Sequence, residues 1–310
     1  MRRAIVSSVC VSSLALALAG CPSDPPPGND AGPTADAPGG TACPVRGVPN
    51  PEQQMGACCY RFSQATQRDA PELRLRSIAI DEPAMSPLAS TAVETVLNTG
   101  LTEETFNWLF RTTGADDDGP VEITTGYGVR ESDGTYTLGS AEYPPITLTG
   151  TLSGETVSTD TVLGPLNIPV FDESGMNLQF VLSLRSIRVI DVTFSEDRSC
   201  IGRLTGRTFE PAGSLEGFIT VADAQAGSIN VPPIMSSLCS VIAGELSTPA
   251  GMMPLCDRPR SEWMARPDSL CDASGCMANP AGSTSVCDPL TTCNAWRLFA
   301  RFAAVGVDIR

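Results

Sequence analysis

The chain has 310 residues, of which 42% are hydrophobic and 18% charged, and carries a formal net charge of −15. It contains no histidine and no lysine, so all 20 basic residues are arginine. That removes Ser-His-Asp and Cys-His catalysis, imidazole metal ligation, Schiff-base chemistry and the phosphate-loop lysine, and the acidity opposes binding to nucleic acid.

In chain order, Met1, Arg2 and Arg3 give a short positive start, and no charge follows from Ala4 to Ala19. A positive start, a short apolar run and small residues before a cut describe a secretory signal peptide at 1–20. The run is shorter than the ~20 residues a bilayer needs, and Ser7, Ser8, Ser12 and Ser13 dilute it. Leu18-Ala19-Gly20-Cys21 resembles the lipobox of bacterial lipoproteins. The resemblance implies cleavage before Cys21, lipidation of its sulfur, and a membrane as partner through the anchor. It covers about twenty residues and implies nothing about the mature fold. Pro22 after the cysteine, by the same resemblance, leans toward the outer membrane or cell surface rather than the inner membrane. Loss of Arg2 and Arg3 takes the charge from −15 to −17, because residues 1–20 hold no acid.

Residues 21–42 are the lipidated cysteine and a spacer of Pro, Gly, Asp, Ala and Thr, too poor in apolar surface to order itself. Extended, the spacer reaches up to ~65 Å. Residues 43–310 then form one β-rich domain. Setting aside Cys10 and Cys21, ten of the 12 cysteines remain: Cys43, Cys58, Cys59, Cys200, Cys239, Cys256, Cys271, Cys276, Cys287 and Cys293. An even number in an exported chain reads as a disulfide framework, here of five bridges. No Cys-x-x-Cys pair and no histidine support zinc.

The domain opens with a strand at Leu73–Ile80. A helix follows, capped by Ser86 with Pro87 at its first position; Leu88, Ala92 and Val96 are its apolar stripe and Asn98-Thr99-Gly100 its end. Thr102 is expected to cap a second helix whose apolar face is Phe106, Leu109 and Phe110, with Trp108 pointing elsewhere. Strands are expected at 121–130, 136–138, 146–152, 166–170, 177–185 and 187–194, where Leu178, Phe180, Leu182 and Leu184 alternate with polar neighbours. Ile234, Leu238, Val241 and Ile242, closed by Gly244, suggest one more helix, with Cys239 within reach of Cys200. Trp296, Phe299 and Phe302 fit a helix while Val305 to Ile309 fit a strand; a closing strand is favoured, and residues 256–293 then read as a cystine-rich insertion before it. Gly-x-Leu-x-Gly occurs at 150–154, 202–206 and 213–217, as a repeated strand and bend. The expected fold is mainly β: an antiparallel sandwich or barrel-like domain with two to three short helices and a disulfide-rich C-terminal loop.

Few sites stand out. Asp116 and Asp118 could meet calcium in an oxygen-rich loop, as could Asp268 and Asp272. Trp108, Trp263, Tyr127, Tyr136 and Tyr143 are candidates for a sugar-stacking face, although only 5% of the chain is aromatic. No catalytic residue and no cofactor are assigned. The function expected is a non-catalytic, lipid-anchored envelope protein that binds an envelope protein or glycan, or serves a structural role. The alternatives are a glycan-binding or glycan-hydrolysing protein using carboxylates, and a carrier of an apolar ligand.

Overall fold

The computed structural model describes residues 69–171, 177–195, 198–205, 208–231 and 234–310. The signal, the spacer, Cys21, Cys43, Cys58 and Cys59 lie outside them. The architecture is mainly antiparallel β with three helices, as the strand and turn pattern predicted. In chain order the chain forms β1 (Glu72–Glu82), helix α1 (Pro87–Glu103), β2 (Trp108–Thr113), β3 (Gly119–Arg130), β4 (Tyr136–Leu138), β5 (Ile146–Ser153) and β6 (Thr156–Thr159). Next come β7 (Leu166–Phe171), β8 (Leu178–Ile190), β9 (Val192–Thr193), β10 (Cys200–Ile201), β11 (Arg203–Thr205), β12 (Thr208–Glu210) and β13 (Gly213–Thr220). Helix α2 (Val221–Ala226), β14 (Ser228–Val231), β15 (Ile234–Ser237) and helix α3 (Leu238–Ala243) precede the hairpin β16 (Ser269–Asp272) and β17 (Gly275–Ala278), and β18 (Ala295–Gly306) comes last.

The main sheet runs β7-β8-β13-β18-β1-β2-β3-β5-β6-β9. Strand β9 continues β8 after a single residue, Asp191, so the far end of the path bonds to the segment that stands second at its start. The sheet is therefore a curled, barrel-like wall, and its concave face gathers one large core. Inside it Trp108, Phe110 and Phe302 stack with centroids 5.9 and 5.6 Å apart. Trp263 stacks on Trp296 at 5.9 Å. Each such ring removes ~150–250 Å² from water, so these stacks add substantially to a core otherwise built of Leu, Ile, Val and Ala.

The C-terminal strand was expected to close the sheet; it instead lies near its middle, its first part paired with β13 and its second with β1. The excursion before it is not a loop apart. Leu255, Cys256, Trp263 and Ala265 enter the same core, and two short 3-10 turns and the β16–β17 hairpin carry the chain on.

Helix α1 begins as predicted: Ser86 Oγ accepts the Ala89 N–H at 3.2 Å, and Pro87 occupies the first turn. Its buried stripe is Ala89, Val93, Leu97 and Leu101, one residue along from the expected one, and Leu88 is exposed. That rotation turns Glu94 and Asn98 toward the open edge of β1. Glu94 Oε1 accepts the Ile80 N–H at 2.8 Å, and Asn98 bonds both backbone groups of Ile78. An unpaired strand edge is a pairing hazard, and two helix side chains cover this one.

Gly100 does not stop the helix, which runs on to Glu103 and closes at Glu104 in the left-handed region, φ 63°. The second helix, expected from its cap at Thr102 to its end at Gly114, is replaced by β2. A Cβ on Gly100 would stand 2.9 Å from Phe106 Cβ, so this glycine serves a close approach as the chain folds back into the strand. Strand β2 pairs with β1 and β3, and both its faces are covered. Trp108 and Phe110 face the main core, while Leu109 packs with Tyr136, Val307 and Ile309 on the other side. Burial on both faces erases the alternation that marks a strand.

The two strands expected at 177–185 and 187–194 are a single β8, bent at Ser186, followed by β9. Among the described residues β2, β6, β10, β12, β14, β15, β16 and β17 and helix α2 are additional to the expected elements, while β13 begins on the strand and bend expected at 213–217.

Candidate functional site

Strand β8 supplies the framework of the clearest concavity. Ser186 sits at φ 47°, and the pairing with β13 slips between Glu216 and Phe218, so Ser186 and Ile187 oppose Gly217 alone. This bulge aims the Ser186 hydroxyl at the β16–β17 hairpin, where its oxygen accepts the Cys276 N–H at 2.9 Å. In the hairpin turn Asp272 Oδ1 accepts the Ser274 N–H at 2.7 Å and its hydroxyl at 2.6 Å. Those bonds hold the Asp272 carboxyl below its ordinary value. Gly275, at φ 128°, leaves room for Leu163, whose Cδ2 would lie 2.8 Å from a Cβ there. The result is a half-open cleft, with Leu163, Leu270 and Met277 among its apolar walls and Ser186, Asp272 and Cys276 among its polar ones.

Cysteine pairing shapes this end of the molecule. Bridges join Cys239 to Cys256, Cys271 to Cys276 and Cys287 to Cys293. Cys200 is also disulfide-bonded. The expected Cys200–Cys239 bridge is therefore wrong. Cys239 lies in α3, and the loop after Gly244 returns Leu255 and Cys256 to that helix, where Glu245 Oε2 accepts the Leu255 N–H at 2.8 Å.

Several carboxylates are tied to arginine, and the most enclosed of these ties lies within the sheet. Glu216 of β13 lies between Arg188 of β8, 2.5 Å away, and Arg297 of β18, 3.0 Å away; Arg297 also reaches Glu82 of β1 at 3.1 Å. Burial alone would raise the Glu216 carboxyl, but hydrogen bonds from Arg188 and Arg297 outweigh it and hold the group below its ordinary value. Glu216, held ionised between two guanidinium groups, is not poised as a proton donor.

A second polar cluster joins α1 to the sheet. Arg74, 1% exposed, donates to the Leu101 carbonyl at the C-terminal end of α1 at 2.7 Å and lies 3.8 Å from Glu104. A cation at a helix C-terminus is favoured by the backbone dipole. Arg130 meets Glu104 at 2.8 Å, and the Arg74 guanidinium stands 5.8 Å from the Tyr136 ring centre. Burial pushes the Tyr136 hydroxyl up. The cluster is packed shut by β4 and the C-terminal residues, which suits locking the fold rather than chemistry.

The residues singled out from sequence are dispersed. Asp116 and Asp118 are exposed, and Asp118 Oδ1 accepts the Gly154 N–H at 2.8 Å. Asp268 is engaged by Ser269 and the Arg297 N–H, and Asp272 by Ser274. Among the described residues no three Cys, Asp or Glu converge as a metal-ligand set. Trp108, Trp263 and Trp296 are 0%, 4% and 0% exposed, so no tryptophan offers a stacking face. Tyr136 is buried as well, whereas Tyr127 and Tyr143 meet edge to face at 6.0 Å with Phe171 beside them.

Sequence reading missed Ser186, Glu216 and Arg74. The strand candidates broke at Ser186, and that break was the available signal. Glu216 sits in a Gly-x-Leu-x-Gly stretch and Arg74 in an alternating one, where a charge reads as a wet face.

No family model, no curated protein and no solved structure matches this chain.

Proposed function

We propose that this chain is a lipid-anchored protein of the bacterial cell envelope with a non-catalytic, binding or structural role. The cysteines carry the reading: every cysteine among the described residues is disulfide-bonded, the condition of a protein matured outside the reducing cytosol. The signal-like first twenty residues and Leu18-Ala19-Gly20-Cys21 supply the route and the anchor. The buried tryptophans count against a glycan platform, and the filled concave face counts against an enclosed apolar ligand. Pro22 after the cysteine favours the outer membrane or cell surface.

The test is metabolic labelling with palmitate in a bacterial host, comparing the full chain with its Cys21→Ala variant. The wild type is expected to take up label, partition with membranes and lose mass by cleavage before residue 21, with all three lost in the variant. An unlabelled wild type retaining residues 1–20 overturns the reading.

A further inference from the structure

Two of the three bridges between described residues are enclosed: Cys239 and Cys293 are 0% exposed, Cys287 5% and Cys256 7%. The third is not. Cys271 and Cys276 are half-buried, and Cys276 lines the cleft beside β8. Disulfide exchange requires a thiolate to reach one sulfur in line with the bond that breaks, so access decides which bridge reacts. Loop length does not distinguish the candidates, since Cys271–Cys276 and Cys287–Cys293 close separations of 5 and 6 residues.

We propose that Cys271–Cys276 is a thiol-exchange site, and that the cleft admits a neutral or cationic dithiol to the Cys276 sulfur. Asp272 is the one charged residue lining the cleft, so an anionic thiol meets repulsion there, while Leu163 and Met277 offer apolar contact to an uncharged one. In the first step the thiolate of the dithiol attacks Cys276 Sγ. The bridge breaks as a mixed disulfide forms, and Cys271 leaves as a thiolate that takes up a proton. The second thiol of the dithiol loses its proton and attacks its partner sulfur in that mixed disulfide, releasing Cys276 as a thiolate. The protein bridge is reduced by two electrons to two thiols, and the dithiol is oxidised to a disulfide.

The hairpin is held by contacts independent of the bridge. Asn294 Oδ1 accepts the Cys271 N–H at 2.7 Å, Asn294 Nδ2 donates to the Cys271 carbonyl at 2.8 Å, and Ser186 holds the Cys276 N–H. Reduction therefore leaves the two cysteines facing across the β16–β17 ladder, ready to reoxidise. This proposal does not depend on lipidation of Cys21, so the two readings fail separately.

The experiment reduces the oxidised full chain with increasing dithiothreitol, traps free thiols with iodoacetamide and maps them by peptide mass. Cys271 and Cys276 are expected to be labelled about ten-fold faster than Cys287 and Cys293. Opening of both bridges together, or of Cys287–Cys293 first, overturns the proposal. A second arm compares cysteamine with mercaptoacetate, with rates expressed per thiolate. Cysteamine is expected to open Cys271–Cys276 faster, and Asp272→Asn to shrink that preference; a preference unchanged in the variant overturns the role of the cleft. Leu163→Trp, which narrows the mouth, is expected to slow reduction of this bridge alone, and an unchanged rate counts equally against it.

Discussion

Asn98 holds Ile78 by both of its backbone groups: its Oδ1 accepts the Ile78 N–H at 3.0 Å and its Nδ2 donates to the Ile78 carbonyl at 2.9 Å. A side-chain amide thus takes the place of a neighbouring strand along the stretch of β1 that β2 does not reach. Asn98→Ala leaves both groups without these partners and should cost about 1–3 kcal/mol, measured by chemical denaturation. Asn98→Asp is more informative. Its carboxylate still accepts from Ile78 but opposes the carbonyl, so the loss at neutral pH should shrink as acid protonates the group and restores a donor. A loss for Asn98→Asp that does not shrink in acid would show that the amide is not acting as a strand partner.

Glu216 links three strands through Arg188 and Arg297. Its carboxyl is held below the ordinary 4.5, so its stabilising contribution is present above that value and is lost as pH falls through the lower, folded-state value. Glu216→Gln should cost about 1–3 kcal/mol at pH 7, and the gap to wild type should close in acid. Denaturation midpoints of both proteins across pH 3 to 7 (roughly the carboxylate range) check the sign. A gap that widens in acid contradicts it.

The Cys239–Cys256 bridge closes a separation of 17 residues and ties α3 to the chain that brings Trp263 into the core. Replacing both cysteines with alanine should cost about 3 kcal/mol through the freed unfolded chain. The same change at Cys271 and Cys276 should cost less, because a shorter loop restricts the unfolded chain less. Equal losses in thermal unfolding of the two variants would contradict this ordering.

Much of the fold was legible where one face of an element is wet. Leu178, Phe180, Leu182 and Leu184 alternate with polar neighbours and marked β8; Ser86-Pro87 marked the start of α1, and Gly244 the end of α3, where it adopts φ 117°. Legibility failed where burial is two-sided, as in β2, and where a residue type has two uses. Gly100 resembles a helix stop but serves a close approach, and the stripe of α1 is set by the need of β1 for Asn98, a requirement that lies outside the helix. That the described cysteines form disulfides was readable, but pairing depends on how the chain returns after Gly244. The cleft was not readable, since it arises where a bulge at Ser186 meets a hairpin 90 residues later in the chain.

Gly100→Ala sets two quantities against each other. Within a helix, alanine is favoured over glycine by about 1 kcal/mol, and Gly100 lies within α1. Its new methyl would stand 2.9 Å from Phe106 Cβ, and Phe106 is fully buried, at the turn where the chain enters β2. Overpacking of this kind costs about 1–3 kcal/mol, because Phe106 cannot retreat without moving the strand whose Trp108 and Phe110 stack in the core. The variant is therefore expected to be less stable than wild type by up to about 2 kcal/mol. A higher denaturation midpoint for Gly100→Ala would mean that helix propensity outweighs the contact, and that Phe106 gives way to the new methyl at little cost.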